Sequence, residues 1–179
     1  LVPHNPVQGV RAPKQPKPLP KALGVDDAVQ LASFVDTDAE PWEEARDAAM
    51  TELLYSSGLR VGELIGLNVQ PGNTAESGWI DLEAGEAHVL GKGGKRRTVP
   101  VGKHALTALQ RWLRRRADPF EPEWNENALF VGVRGARMSA QTAWARLRKR
   151  GQLAGLAQSV HPHVLRHSFA SHMLQSSGD

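Results

Sequence analysis

The stretch WIDLEAGEAHVLGKGGKRRTVPV, residues 79–101, decides the fold class of this chain. It contains three short runs rich in apolar and β-branched side chains, at 79–82, 86–90 and 96–101. The two connections between these runs are short and contain glycine, which tight turns between strands use. The stretch therefore predicts a small three-stranded antiparallel sheet.

Helical periodicity lies on both sides of this stretch. A short helix is predicted with Asp26 and Asp27 in its first turn, and a longer one ends at Ser57, where Gly58 stops it. Further helices are predicted at 61–67, 103–116, 139–150 and 163–176, with a loop at 68–78. The expected fold is mainly α with a small three-stranded antiparallel sheet, an α+β class with one main domain.

Residues 1–20 differ in composition from the rest of the chain. They contain six prolines and three basic residues but almost no apolar periodicity. We interpret them as an interdomain linker and residues 21–179 as one domain. A linker at the start predicts that another domain precedes it in the natural protein.

Charge is segregated along the sequence. Residues 26–86 hold 14 acidic residues and two arginines, whereas 92–116 hold nine Lys or Arg and 128–178 hold seven, both without an acid. Basic surfaces of this kind bind polyphosphates through counterion release, so the pattern favours a nucleic-acid partner. Solvated basic helix faces are the alternative.

Several protein classes are disfavoured by composition. The chain has no cysteine, which excludes disulfide scaffolds and thiol chemistry, and no apolar run of about 18 residues that could span a bilayer. We expect a soluble, cytoplasmic protein without membrane contact.

A first motif, GLRVGEL at residues 58–64, places an arginine at the start of a short helix. Arg60 and Glu63 are three positions apart and share one helix face. A carboxylate that holds a guanidinium fixes its fork, which is what bidentate phosphate binding requires. A surface ion pair is the alternative.

A second motif, GKGGKRRTVP at residues 91–100, forms the tip of the predicted hairpin. Its glycines allow close approach to a ligand, and Lys92 offers a mobile ammonium that could contact phosphate or donate a proton. A nucleotide-binding P-loop is rejected because the following element is a strand and the required spacing is absent. Lys95, Arg96 and Arg97 are candidate DNA contacts, and an exposed basic hairpin is the alternative.

A third motif, HPHVLRHSFA at residues 161–170, starts another helix. His163 and Arg166 share one face, whereas Leu165 and Phe169 share a face that should be buried. A metal site is the weaker alternative, because cysteine is absent and acidic residues are distant in the sequence. His167 and the later His172 are interpreted as packed or hydrogen-bonded.

Basic helices form a fourth feature, at 111–116 and 146–150. With Trp144 and Leu147 facing inward, the outward face could lie against DNA and contact its phosphates. Its candidate contacts are Arg146, Lys149 and Arg150. Most of the five tryptophans are interpreted as packing residues.

Taken in order, these motifs resemble the tyrosine recombinase (integrase) family, and within it the Xer type. The matching residues are Gly-Leu-Arg60-x-Gly-Glu63-Leu, Gly-Lys92-Gly-x-Lys-x-Arg-x-Val-Pro and His163-x-Leu-Arg166-His167-Ser-Phe-Ala. The linker is also similar to the joint between the two Xer domains. A XerC-like sequence is favoured, with XerD-like and mobile-element integrases left open.

The resemblance implies the catalytic-core fold of that family and site-specific recombination through a 3′-phosphotyrosyl intermediate, with no metal or other cofactor. Arg60 and Arg166 would clamp the scissile phosphate, His163 would assist proton transfer, and Lys92 would protonate the departing 5′ oxygen. Glu63 and His167 would support them.

The implied partners are duplex DNA and a related XerD-like recombinase in a tetramer on that DNA. A DNA translocase would activate the pair during chromosome dimer resolution.

One departure concerns the nucleophile. The family continues with a Leu-Gly-His motif and then the attacking tyrosine, whereas this sequence ends at Asp179. Its single tyrosine, Tyr55, precedes Arg60 in an apolar helix and is interpreted as a core residue. We therefore expect these residues alone to lack the nucleophile. A DNA-binding module without catalysis and a protein-interaction domain are the rival interpretations.

Overall fold

The computed structural model describes residues 21–72, 77–117 and 127–177. The predicted linker at 1–20 and Trp124 lie outside the described residues. The helices are α1 (Val25–Ser33), α2 (Pro41–Ser57), α3 (Val61–Ile65), α4 (Lys103–Arg116), α5 (Ala140–Leu153) and α6 (Pro162–Ser177). The strands are β1 (Leu67–Asn68), β2 (Gly78–Asp81), β3 (Glu86–Leu90) and β4 (Arg96–Pro100). The mainly helical prediction is confirmed.

Helix α2 is the centre of the molecule and packs against α4, α5 and α6. Pro41 occupies its first turn, where a missing N–H costs nothing. Gly58 ends it with φ of 62°, a left-handed conformation that glycine adopts without strain. Its buried side chains include Ala49 and Leu53, so α2 is covered on most sides.

The core continues from α2 into the flanking helices. Buried side chains are contributed by α4 (Leu109, Trp112), α5 (Leu147) and α6 (Leu165). The indole N–H of Trp112 donates to the carbonyl of Leu129 at 2.8 Å, so this buried polar group is satisfied.

The sheet has four strands rather than three. Strands β2, β3 and β4 pair antiparallel as predicted, but β1 adds to β2 in parallel, in the order β1-β2-β3-β4. The predicted helix at 61–67 ends at Ile65, which leaves Leu67 and Asn68 for this strand. A two-residue strand is too short to show a period of two, and its pairing depends on a tertiary neighbour.

Strand β4 is the charged edge of the sheet. Buried and less buried residues alternate in β2 and β3, whereas β4 is mostly exposed and carries Arg96 and Arg97. Charged side chains on an edge strand discourage pairing with another chain. Within the three described segments, no helix is long and apolar enough to cross a membrane.

Candidate active site

An open cleft of about 660 Å³ lies where α3, the β3–β4 hairpin and α6 meet. We call it the cationic cleft. Its lining residues are Arg60, Val61, Gly62, Glu63, Leu90, Gly91, Lys92, His163 and Arg166. The structure thus brings together the four residues that the sequence singled out from three separate motifs.

The turn between α2 and α3 places Arg60 in the cleft. Gly58 ends α2, and α3 begins at Val61 with the exposed Arg60 preceding it. A Cβ at Gly58 would collide with the ring of Phe169, so α6 packs directly on this turn. Arg166 also donates from Nη1 to the carbonyl of Gly58 at 3.0 Å. Arg166 is therefore tied by its side chain to the turn from which Arg60 projects.

The motif suggested that Glu63 holds the Arg60 guanidinium, but the structure gives this carboxylate other partners. Its Oε1 accepts the backbone N–H of Arg60 at 2.9 Å, which caps α3. Its side-chain partner is Arg97, whose Nη1 donates to Oε2 and whose Nη2 donates to Oε1 at 2.9 Å. Burial opposes ionisation, but the hydrogen bonds from Arg97 and Arg60 hold the pKa of Glu63 below its ordinary value. Glu63 is thus a buried carboxylate at the base of the cleft.

Arg166 shares this charged environment. Its Nη1 lies 3.9 Å from Oε1 of Glu63. Partial burial and the charge of Arg60 lower the pKa of the Arg166 guanidinium, which Glu63 opposes. Cations that repel one another in a cleft favour the binding of an anion between them.

Lys92 lies at the lip of the cleft in a short 3-10 turn, Lys92–Gly94. Gly93 and Gly94 have φ of 78° and 75°, a region that side chains with a Cβ rarely adopt. Both glycines and Lys92 are exposed. The turn therefore presents the ammonium on an exposed loop.

His163 is exposed on α6 and is supported by aromatic rings. Trp144 of α5 lies edge-on to it, with ring centroids 5.4 Å apart, and also stacks on His161 at 4.5 Å. Burial and the neighbouring His163 lower the pKa of His161. Sequence reasoning missed both supporting residues, because the contact between α5 and α6 has no local signal.

The remaining histidines and the tyrosine lie elsewhere. His172 Nδ1 and the Tyr55 hydroxyl are hydrogen-bonded at 2.5 Å, and Tyr55 packs against the core. Burial, with Glu52 nearby, raises the pKa of Tyr55, which disfavours a tyrosinate. His167 is exposed and does not line the cleft, and in the described segments its side chain has no hydrogen bond or ion pair. The expectation that His167 is packed or hydrogen-bonded is therefore wrong.

The predicted outward face of α5 needs correction. Arg150 is buried with a side chain 6% exposed, and it pairs with Glu44 at 2.7 Å. Arg146 bonds Asp47 at 2.9 and 2.6 Å, and these bonds raise the pKa of its guanidinium although burial opposes its charge. Both arginines face the acidic side of α2 because buried carboxylates need partners.

The other candidate DNA contacts remain accessible. Lys149 on α5 and Lys95 and Arg96 on the hairpin are exposed. Arg97 is half-exposed but engaged with Glu63. In the part of the chain that the structure describes, no three His, Cys, Asp or Glu side chains cluster closely enough to hold a metal ion.

Known proteins resemble this chain over most of its length. The phage integrase family matches residues 21–179. The chain is 51% identical over 181 residues to tyrosine recombinase XerC 1 of Ralstonia nicotianae, covering 98% of this chain and 54% of that protein. It is 45% identical to tyrosine recombinase XerC of Escherichia coli O157:H7 over 175 residues, again 98% of this chain and 54% of the relative.

A solved structure shows the same fold. The crystal structure of XerA recombinase superimposes with a TM-score of 0.72 at 30% identity, covering 94% of this chain and 54% of that one. The chain thus spans about half the length of the curated relatives it matches. It is similar to tyrosine recombinases XerC and belongs to the phage integrase family.

Proposed function

We propose that the cationic cleft is the phosphate-activating site of a site-specific DNA recombinase that works through a 3′-phosphotyrosyl intermediate. The observation that carries this proposal is the convergence of Arg60, Lys92, His163 and Arg166 on one open cleft. Residues 21–179 form the catalytic domain in this proposal. A tyrosine oxygen attacks the scissile phosphorus, the bond from phosphorus to the 5′ oxygen breaks, and that oxygen leaves with a proton.

Arg60 and Arg166 bind the non-bridging oxygens of the scissile phosphate. Guanidinium groups bind phosphate in a bidentate manner and stay charged as negative charge develops. The hydrogen bond from Arg166 to the Gly58 carbonyl ties this guanidinium to the turn that carries Arg60 before DNA arrives. Because the site is preorganised, little reorganisation is needed in the transition state.

His163 and Lys92 manage the protons. His163 hydrogen-bonds the phosphate and assists removal of the tyrosine proton, and its ring is oriented by Trp144. Lys92 donates a proton to the departing 5′ oxygen, and its glycine turn lets the ammonium reach into the duplex. No metal or other cofactor is needed, since cations of the protein stabilise the developing charge. Rejoining reverses these steps with a new 5′ oxygen as nucleophile.

Tyr55 is not the attacking tyrosine. It does not line the cleft, and its hydroxyl is engaged by His172. We propose that the nucleophile comes from residues outside 1–179, and that a separate DNA-clamping domain is joined through residues 1–20.

Duplex DNA is the proposed substrate. Lys95 and Arg96 on the hairpin and Lys149 on α5 contact its phosphates. By the likeness to XerC proteins, the assembly is a tetramer with a related XerD-like recombinase, activated by a DNA translocase, and the reaction is chromosome dimer resolution. A mobile-element integrase would use the same cleft chemistry.

Covalent trapping tests the proposal. The complete gene product, with any sequence on either side of residues 1–179, is incubated with a nicked duplex from which the cleaved 5′ strand diffuses away. We expect a covalent protein–DNA adduct, and a fall of about 10²- to 10³-fold in its rate of formation in Arg60→Ala and Arg166→Ala. Arg134→Ala, an exposed arginine outside the cleft, is the matched control and should react normally. Normal adduct formation by both cleft variants would overturn the site assignment.

A further inference from the structure

We propose that Arg97 is a positioning residue for strand cleavage that acts through Glu63, rather than a DNA contact. This inference rests on the function proposed above. Arg97 lies on the edge strand β4, 34 positions from Glu63, and it reaches across the base of the hairpin to the carboxylate.

Arg97 binds both oxygens of the Glu63 carboxylate. Each oxygen of Glu63 accepts one N–H of Arg97, and Oε1 also accepts the backbone N–H of Arg60. The Glu63 side chain is only 4% exposed while Arg97 covers it, so these protein donors take the place of water. The carboxylate therefore depends on a bidentate partner.

Arg166 is the cation that would compete for this carboxylate. Its Nη1 is 3.9 Å from Oε1 of Glu63, beyond a hydrogen bond, and donates instead to the Gly58 carbonyl. Without Arg97, the nearest guanidinium that could satisfy Glu63 is Arg166, and an arginine captured by a carboxylate cannot bind phosphate with the same atoms. Arg97 therefore keeps Arg166 available to the scissile phosphate.

The same ion pair supports the hairpin that carries Lys92. A Cβ at Gly91 would lie 3.5 Å from both Arg97 Nη1 and Glu63 Oε2, so the backbone before Lys92 rests on the pair. The Gly91 N–H donates to the Lys95 carbonyl at 2.7 Å and closes the turn above it. Arg97 thus connects the loop that supplies the proton to the arginines that hold the phosphate.

The test compares Arg97→Met, Arg97→Lys, Glu63→Gln and the double variant Glu63→Gln/Arg97→Met in the complete gene product. Adduct formation is measured at saturating nicked duplex, and DNA affinity is measured separately as a function of salt. We expect Arg97→Met to slow cleavage by about 10- to 100-fold, as for misplaced catalytic groups, with DNA affinity changed less than about 2-fold. Arg97→Lys should recover part of the rate.

The double variant distinguishes action through Glu63 from direct DNA contact by Arg97. If Arg97 acts through Glu63, the double variant loses no more activity than Arg97→Met, because removal of the carboxylate charge also frees Arg166. If Arg97 contacts DNA, the losses are additive, affinity falls and the salt slope of binding decreases by about one. The second pattern would overturn the proposal.

A measurement without catalysis distinguishes this proposal from the proposed function. The Glu63 carboxyl is titrated by NMR in residues 1–179, and we expect Arg97→Met to raise its pKa while thermal unfolding shows that the fold is kept. An unchanged Glu63 titration, or a normal cleavage rate in Arg97→Met, would refute the role of Arg97. No adduct from the wild-type protein would instead refute the proposed function, and the positioning role with it, whatever the titration shows.

Discussion

Two clusters of arginine and carboxylate side chains lie in this molecule, and they differ in their balance of charge. In the cationic cleft, Glu63 faces Arg60, Arg97 and Arg166. At the contact between α2 and α5, three carboxylates face three guanidinium groups. These residues are Glu43, Glu44, Asp47, Arg46, Arg146 and Arg150, and we call them the α2–α5 interface. Arg111 of α4 also lies 3.8 Å from Oε1 of Glu44.

The arginines of the cationic cleft are also more exposed than Arg150 of the α2–α5 interface. The side chains of Arg97 and Arg166 are each 38% exposed, whereas Arg150 is 6% exposed. Buried ions require partners of opposite charge, and the carboxylates of the α2–α5 interface find theirs within the protein. The cleft keeps an excess of positive charge at an open surface, which an external anion can neutralise. The same residue types thus build a structural contact in one place and an anion site in the other.

The largest expected effect is on stability, when one arginine of each cluster is replaced by alanine. Arg150→Ala leaves Glu44 buried without its main partner, and we expect a loss of about 3 to 5 kcal/mol in the free energy of unfolding. Arg166→Ala removes a half-exposed group and one hydrogen bond, and should cost about 1 kcal/mol. Urea unfolding of residues 1–179 measures both.

Activity should show the opposite order. At a temperature where both variants are folded, Arg150→Ala should form the covalent adduct at nearly the wild-type rate, whereas Arg166→Ala should not. A stable Arg150→Ala variant, or one that binds DNA with a reduced salt dependence, would contradict a structural role and restore α5 as a DNA-contacting helix.

Local patterns predicted the members of the cleft but not their partners. Arg60, Lys92, His163 and Arg166 each lie beside a turn or helix start that a few residues determine, so short motifs were sufficient. The partner of Glu63 is 34 positions away, and the partners of Arg146 and Arg150 are 99 and 106 positions away. Because helical periodicity shows which residues share a face but not what that face contacts, the acids of α2 were not recognised as the destination of the α5 arginines.

The acidic and basic segments of the sequence illustrate the same limit. Their segregation suggested a strongly basic second half, yet part of that charge is neutralised by the acidic residues of α2. The fourth strand was missed for a related reason, since Leu67–Asn68 becomes a strand only through its parallel neighbour β2.

A smaller effect is expected from the pH dependence of Glu63. Its pKa is lowered in the folded state, so its ionised form adds stability above its ordinary value of 4.5, and that stability is lost as the pH falls through the folded-state pKa. The stability difference between wild type and Glu63→Gln should therefore be largest near neutral pH and shrink below about pH 4.5. Chemical unfolding at several pH values measures it, and a difference that grows on acidification would show that Glu63 is not held ionised.

The smallest expected effect lies at the edge of the cleft, where aromatic contacts replace ion pairs. Trp144→Leu removes the stack on His161 and the edge contact to His163 and should cost about 1 kcal/mol of stability. Since the His163 ring loses its support, adduct formation should slow by about 10-fold, with Trp144→Phe closer to wild type. The pKa of His161 should also return toward its ordinary value of 6.5, because less of its ring is buried. Histidine NMR titration in residues 1–179 measures that shift, and an unchanged His161 titration together with a normal cleavage rate would mean that Trp144 only fills space between α5 and α6.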